Sequence, residues 1–287
     1  MSIIEEAVRK NAERKNAERT NRHATPTDPT RGQAHLRRVP TPPVDTSRAE
    51  RFQPITLDKA ALHDALVLPQ LKDAGALRAY KILRTRVLRR LEANQWHSFA
   101  ITGVTVGEGK TLTAINLAIA LAQDPSTWVA LIDLDLQRPR IGEYLGMRNT
   151  HGEKGLGDYL QGNASFENIV YAPDIERLLV IPNFTPMTNS SEMLASQRML
   201  EMMQALDAEQ PRRILVFDMP PVLAADDVLA FAPQIDGLLL VVAEGTTDRD
   251  SLRRAKEVLS EMNLLGVVLN RSAERNDKAY YHYGQQQ

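Results

Sequence analysis

From Ile101 onward, the chain alternates short apolar runs with longer segments in which apolar residues recur every three or four positions. The runs are ITG before a glycine-rich stretch, then TWVALIDLD, LLVIPNF, RRILVFDMP, GLLLVVAEG and LLGVVLNR. Several are continuous rather than alternating, which predicts strands buried on both faces. Between them SEMLASQRMLEMMQALDAE, ADDVLAFAPQ and TTDRDSLRRAKEVLSEMN carry helical spacing. Such alternation predicts an α/β fold: a mostly parallel, twisted sheet with right-handed crossovers and helices on both faces. Ligands of such sheets bind at the carboxyl ends of the strands.

Ahead of this unit, ALRAYKILRTRVLRRLEA places Leu77, Tyr80, Leu83, Val87, Leu88 and Leu91 on one helical face. Arg78, Lys81, Arg84, Arg86, Arg89 and Arg90 fall on the others, so the helix either covers the sheet with a solvated basic side or offers a subunit contact. The N-terminal segment 1–22 reads as a charged helix whose first two turns alone are amphipathic. It is either solvated or a short docking helix for a partner or a lipid surface. Segment 23–54 is rich in Pro, Thr and Arg and poor in large apolar residues, the composition of a linker. An ordered domain is expected over 55–272, followed by a polar, flexible tail, 273–287, ending AYYHYGQQQ.

Composition narrows the picture only in places. At 287 residues the chain holds one large domain with appendages, and a formal net charge of −1 argues against bulk nucleic-acid binding. There is no cysteine, which excludes disulfides and thiolate metal sites and fits a reducing cytosol. No run of about eighteen apolar residues and no signal-peptide core are visible, so any membrane contact is expected to be peripheral or through a partner.

The chemistry starts in ITGVTVGEGKTLTAINLAIALA, a strand, a glycine-rich turn and a helix beginning near Gly109. Gly107, Glu108, Gly109, Lys110, Thr111 and Leu112 form the end of a phosphate-binding loop, where glycines let backbone N–H groups close on phosphate oxygens and the helix dipole adds to them. Lys110 would meet the β- and γ-phosphates and the Thr111 hydroxyl would hold Mg²⁺. The usual spacing, G-x-x-x-x-G-K-[ST], would put its first glycine at Val104; Gly103 stands one place early. Two strands end in carboxylates. VALIDLDLQRP carries Asp133 and Asp135 on one face, and ILVFDMPP carries Asp218 after four apolar residues, the form of a Walker B acid. Together with the loop they make an ATP·Mg²⁺ centre, since phosphoryl transfer is mainly positioning and charge neutralisation.

This set of motifs resembles the bacterial tyrosine kinases of capsule and exopolysaccharide export, relatives of the deviant Walker P-loop ATPases. The residues that carry the likeness are GVTVGEGKTLTAINLA, ALIDLDLQRP, VFDMPP and the tyrosines at the C-terminus, with softer matches in NSSEMLASQRM and MSIIEEAV; it runs from Ala76 to Gly284. The resemblance implies a P-loop NTPase fold and a protein-tyrosine autokinase. In that reading Lys110 and Thr111 serve phosphates and Mg²⁺, and Asp218 supports the metal through water. Asp133 is the base for a tyrosine hydroxyl, Asp135 helps orient the metal, and Asn270 contacts adenine; a strand-end Asn capping a turn is the alternative for the last. It also implies in-trans phosphorylation of Tyr280, Tyr281 and Tyr283, self-association, and a cytoplasmic site at the inner face of the plasma membrane through a transmembrane chain-length partner. The other reading of those tyrosines is packing on the domain surface.

The sequence departs from the family pattern at three places. Gln137 stands where a basic residue is usual, and Arg78, Lys81 and Arg84 occupy an E-x-x-R-x-x-R oligomerisation pattern without its glutamate. The tyrosine cluster is short. These changes bear on assembly and autophosphorylation rate and leave ATP binding intact. Two other functions compete: a nucleotide-sensing interaction module with little kinase activity, and a partition-type ATPase. The latter usually carries an extra loop lysine where this chain has Thr105.

Overall fold

The structure is a computed structural model that describes residues 51–147, 152–209 and 213–272. The expected N-terminal helix, most of the linker and the tail with its tyrosines lie outside the described residues.

Eight strands form one sheet in the order β1-β4-β5-β3-β6-β2-β7-β8. In chain order these are β1 (Gln53–Ile55), β2 (Ser98–Gly103), β3 (Trp128–Asp133), β4 (Tyr171–Pro173), β5 (Leu178–Ile181), β6 (Arg213–Asp218), β7 (Gly237–Ala243) and β8 (Leu264–Asn270). All pairings are parallel except β4 with β5. The six longer strands are those the apolar runs predict. β1 and β4, three residues each, carry too little pattern to read, and β1 takes Gln53 and Pro54 out of the expected linker.

The continuous apolar runs have a direct cause. Alternate residues of each strand enter different cores: Phe99, Ile101, Val129, Leu131, Val216 and Val241 belong to one, and Ala100, Ala130, Ile132, Phe217, Leu240 and Val242 to the other. On the first face lie α1 (Lys59–Asp64), α2 (Ala74–Asn94) and α3 (Lys110–Ala122). Eleven of α3's thirteen residues are buried, as expected of a helix apolar all round and sandwiched between sheet and α2. From α2, Val87 and Leu91 are buried, while Arg78, Lys81, Arg86, Arg89 and Arg90 are exposed. Replacing Leu117, fully buried at the centre of α3, by Ala is expected to cost about 2–5 kcal/mol of stability in chemical denaturation.

Four short helices, α4 (Ile141–Tyr144), α5 (Leu156–Leu160), α6 (Phe166–Ile169) and α7 (Ser190–Leu194), precede α8 (Gln197–Glu209), α9 (Asp227–Phe231) and α10 (Arg249–Val258). The segment expected as one long helix from Ser191 to Glu209 is two, α7 and α8. The Ser196 hydroxyl accepts the Met199 N–H at 3.3 Å and starts a new helix after the break, the usual work of a serine N-cap. The last segment is shorter than its pattern because Asp248 caps it, accepting the Ser251 N–H at 2.8 Å and leaving Thr246 and Thr247 in the preceding turn. No helix among the described residues is long and apolar enough to cross a membrane.

Candidate active site

The carboxyl ends of β2, β3 and β6 are neighbours in the sheet, and Asp133 and Asp218 are directly opposite one another in the β3–β6 register. The loop after β2 ends in Gly107 and Gly109, with φ of 88° and 86°, values that glycine adopts without strain. Gly109 is the N-cap of α3, and the first helical bond runs from Thr113 N to Gly109 O at 3.0 Å. The N–H groups of Lys110, Thr111 and Leu112 therefore have no acceptor within the helix and are available to an anion. Leu112 offers only its backbone; its side chain packs into the core on the α2–α3 face.

Around this helix start the predicted residues come together. The Lys110 ammonium lies 2.7 Å from Asp135 Oδ2, 3.4 Å from Asp218 Oδ1 and 3.3 Å from Thr111 Oγ1. Asp133, fully buried, accepts from the N–H groups of Arg140 (3.1 Å) and Ile141 (3.0 Å) through Oδ2. Asp133 Oδ1 and Asp218 Oδ2 are buried without a hydrogen-bond partner. Asp135 and Asp218 thus share one ammonium largely out of water, with Asp133 beside Asp218 across the β3–β6 register. Burial pushes the Asp133 carboxyl well above the ordinary range, and the charge of Asp218 adds to this. Asp218 is also raised, again by burial, against the opposing pull of Lys110. Burial alone would lower the Lys110 ammonium, but the charges of Asp218 and Asp135 outweigh it and hold the group protonated.

Thr111, Asp135 and Asp218 offer the oxygens that a hard divalent cation takes, and Asp218 Oδ2 is buried without a partner. Among the described residues no three acidic or histidine side chains are grouped to hold a metal by themselves, so phosphate and water oxygens would complete its shell. The Lys110 ammonium already sits among Thr111, Asp135 and Asp218, so a cation is at home there. Mg²⁺ fits these residues.

Asn270 lies at the end of β8 and spends both side-chain groups locally. Its Nδ2 donates to Glu108 O at 2.8 Å and its Oδ1 accepts the Arg271 N–H at 2.9 Å. A Cβ on Gly109 would collide with that amide. Arg271 donates through Nη2 to Gly107 O at 2.6 Å, so the end of β8 holds two consecutive carbonyls of the loop. The Glu108 carboxylate folds back inside the loop, so what this position offers a nucleotide is its backbone N–H.

Three further residues escaped the sequence reading. Gln137 Nε2 donates to Ser190 Oγ at 3.0 Å, and Ser190 Oγ donates to Asp227 Oδ1 at 2.8 Å, tying the turn after β3 to α7 and α9. Asp227 is fully buried and its carboxyl is raised by that burial. The sole sequence signal was the doubled acid of ADDVLAF, indistinguishable from an ordinary acidic helix start. The third is Thr247, whose hydroxyl donates to Glu108 Oε1.

A P-loop, two acidic strand ends and a parallel sheet define a nucleotide-binding domain. Residues 99–286 match the CobQ/CobB/MinD/ParA nucleotide binding domain family. The tyrosine-protein kinase YwqD of Bacillus subtilis is 33% identical over 207 residues, covering 71% of this chain and 85% of that protein. The tyrosine-protein kinase CpsD of Streptococcus agalactiae serotype Ia is 31% identical over 177 residues, 61% of this chain and 74% of its own length. Among solved structures, the kinase domain of the Escherichia coli tyrosine kinase ETK superposes with a TM-score of 0.61 at 26% identity, covering 73% of this chain and 82% of that one. The chain belongs to the CobQ/CobB/MinD/ParA nucleotide-binding family and, within it, to the bacterial tyrosine kinases.

Proposed function

We propose that the protein is an ATP- and Mg²⁺-dependent tyrosine autokinase that phosphorylates Tyr280, Tyr281 and Tyr283 of a neighbouring copy. The observation that carries this reading is the buried cluster of Lys110, Thr111, Asp133, Asp135 and Asp218 at the mouth of the phosphate loop. Bound Mg²⁺ would neutralise phosphate charge and polarise the β–γ bridge. Thr111 and Asp218 would hold it, with Asp135 orienting, while Lys110 exchanges its bond to Asp135 for one to the phosphates. Asp133 Oδ1, without a partner in the fold and raised by burial, would take the phenolic proton as the tyrosine oxygen bonds to the γ-phosphorus and ADP leaves with the bridging electrons. An adenine contact by Asn270 would use the second N–H of Nδ2 or the second lone pair of Oδ1, since its local bonds occupy one of each.

The same reading gives the enzyme a regulatory place in polysaccharide synthesis or export, cytoplasmic and at the inner face of the plasma membrane through a transmembrane chain-length partner. The relatives named as tyrosine-protein kinases support the kinase part of this reading. The test is phosphate transfer from labelled ATP to the wild-type chain and to a variant with all three tail tyrosines changed to Phe. Label in the first and not the second is expected. Equal label would contradict the choice of acceptors, and phosphate release without label would point to a partition-type ATPase.

Gln137 favours a second reading, a nucleotide-sensing interaction module with little transfer, because its neutral amide is committed to Ser190. In that case the triple Phe variant would behave as wild type in polysaccharide output while a Lys110 variant would not.

A further inference from the structure

Glu108 has no place in the transfer chemistry, yet it is among the most heavily engaged side chains in the molecule. It is 1% exposed. Its Oε2 accepts the N–H groups of Val104 and of Thr105, the latter at 3.0 Å. Its Oε1 accepts the hydroxyls of Thr105, at 3.1 Å, and of Thr247. Thr247 Oγ1 in turn accepts the Ala243 N–H at 3.1 Å, so the carboxylate is anchored to the carboxyl end of β7. The glycine that stands one place early in the motif now has a cause. A Cβ on Gly103 would lie 2.6 Å from Glu108 Oε2 and 3.2 Å from Thr105 O. Gly103 is not among the residues with positive φ, so the space taken by the Glu108 carboxylate, and not backbone conformation, requires glycine there.

We propose that Glu108 is a positioning residue: an internal anion around which the phosphate loop is folded, fixed from outside by Thr247. It satisfies the N–H groups of Val104 and Thr105, which leaves a bound phosphate the N–H groups from Val106 onward. It also couples the loop's shape to the turn between β7 and α10. This role rests on the ATP-binding reading above.

The test is titration of the full-length chain with a fluorescent ATP analogue and Mg²⁺, with thermal melting of the nucleotide-free protein alongside. Glu108→Ala leaves buried N–H groups without an acceptor and is expected to weaken binding about tenfold or more. Glu108→Gln keeps one carbonyl for the two N–H groups and lets the two hydroxyls turn to accept, so binding within about threefold of wild type is expected. Gly103→Ala should weaken binding about tenfold in the wild-type background and much less in Glu108→Ala, because the steric partner is gone. Should Glu108→Ala not fold, Thr247→Val carries the test, with about a threefold loss expected from one hydroxyl donor. Wild-type-like binding by Glu108→Ala or Thr247→Val, a Glu108→Gln variant as weak as Glu108→Ala, or an equal Gly103→Ala penalty in both backgrounds overturns the role. A wild-type chain that binds no ATP overturns the ATP reading itself, and this role with it.

Discussion

Replacing Lys110 by Met is expected to lower tyrosine phosphorylation by about a hundred- to a thousand-fold or more, the usual effect of removing a charge aimed at a developing anion. A second effect follows from the geometry. In the nucleotide-free protein Lys110 is the counter-ion of Asp135 and Asp218, which are 5% and 0% exposed. Removing one partner of a buried ion pair costs about 3–5 kcal/mol, so the variant should melt well below wild type. Mg²⁺ alone should then restore more stability to the variant than it adds to wild type, since the ammonium no longer competes for Thr111, Asp135 and Asp218. The measurement is a melting series with and without Mg²⁺. An equal Mg²⁺ shift in both proteins would contradict the shared position of ammonium and metal.

Asp133→Asn is expected to move activity and stability in opposite directions. Transfer should fall by about a hundred- to ten-thousand-fold through loss of the base. Stability should rise near neutral pH, and the sign follows from the raised carboxyl. A group whose pKa is higher folded than unfolded holds its proton more tightly in the native state. Native stability therefore declines as pH rises from the unfolded value to the folded one, and stays low above it. Asn carries no such charge. It can still accept the Arg140 and Ile141 N–H groups, at the expense of placing an amide where Oδ1 has no partner. A gain of about 1 kcal/mol would appear as a melting temperature about 2–4 °C higher at neutral pH, with the difference vanishing in acid, where Asp133 is protonated. Wild-type transfer should climb with pH through a midpoint above the ordinary carboxylate range. A variant that melts below wild type at neutral pH, or that retains transfer, would contradict this account of Asp133.

Much of this site was legible in the sequence because its chemistry is local. Gly107 to Thr111 are consecutive, Asp133 and Asp135 are two apart, and each acid ends an apolar run long enough to mark a buried strand. The sheet followed for the same reason: five strands carry four or more apolar residues and β2 carries three in a row, whereas β1 and β4 are too short to show a period. The helix break at Ser196 hid because SEMLASQRMLEMM keeps its spacing across the interruption. Least legible were the pairings that hold the loop. Thr247 and Glu108 are 139 residues apart, and Ser190 and Asp227 are 37 apart. In sequence Glu108 is one variable place in a phosphate loop and Thr247 one of two threonines before a helix. Their relation exists only once β2 and β7 are adjacent. Asn270 stands at a strand end that the sequence marks, while its bond to the Glu108 carbonyl, 162 residues away, is visible only in the fold.

The most direct measurement is intact-protein and peptide mass spectrometry of the purified full-length chain, incubated with ATP and Mg²⁺, beside Lys110→Met treated identically. Phosphate on Tyr280, Tyr281 or Tyr283 of the wild type, and none on the variant, is the result expected. Phosphate absent from both, with ATP bound by the wild type, would contradict the kinase assignment; equal phosphate on both would remove the Lys110 cluster from the chemistry.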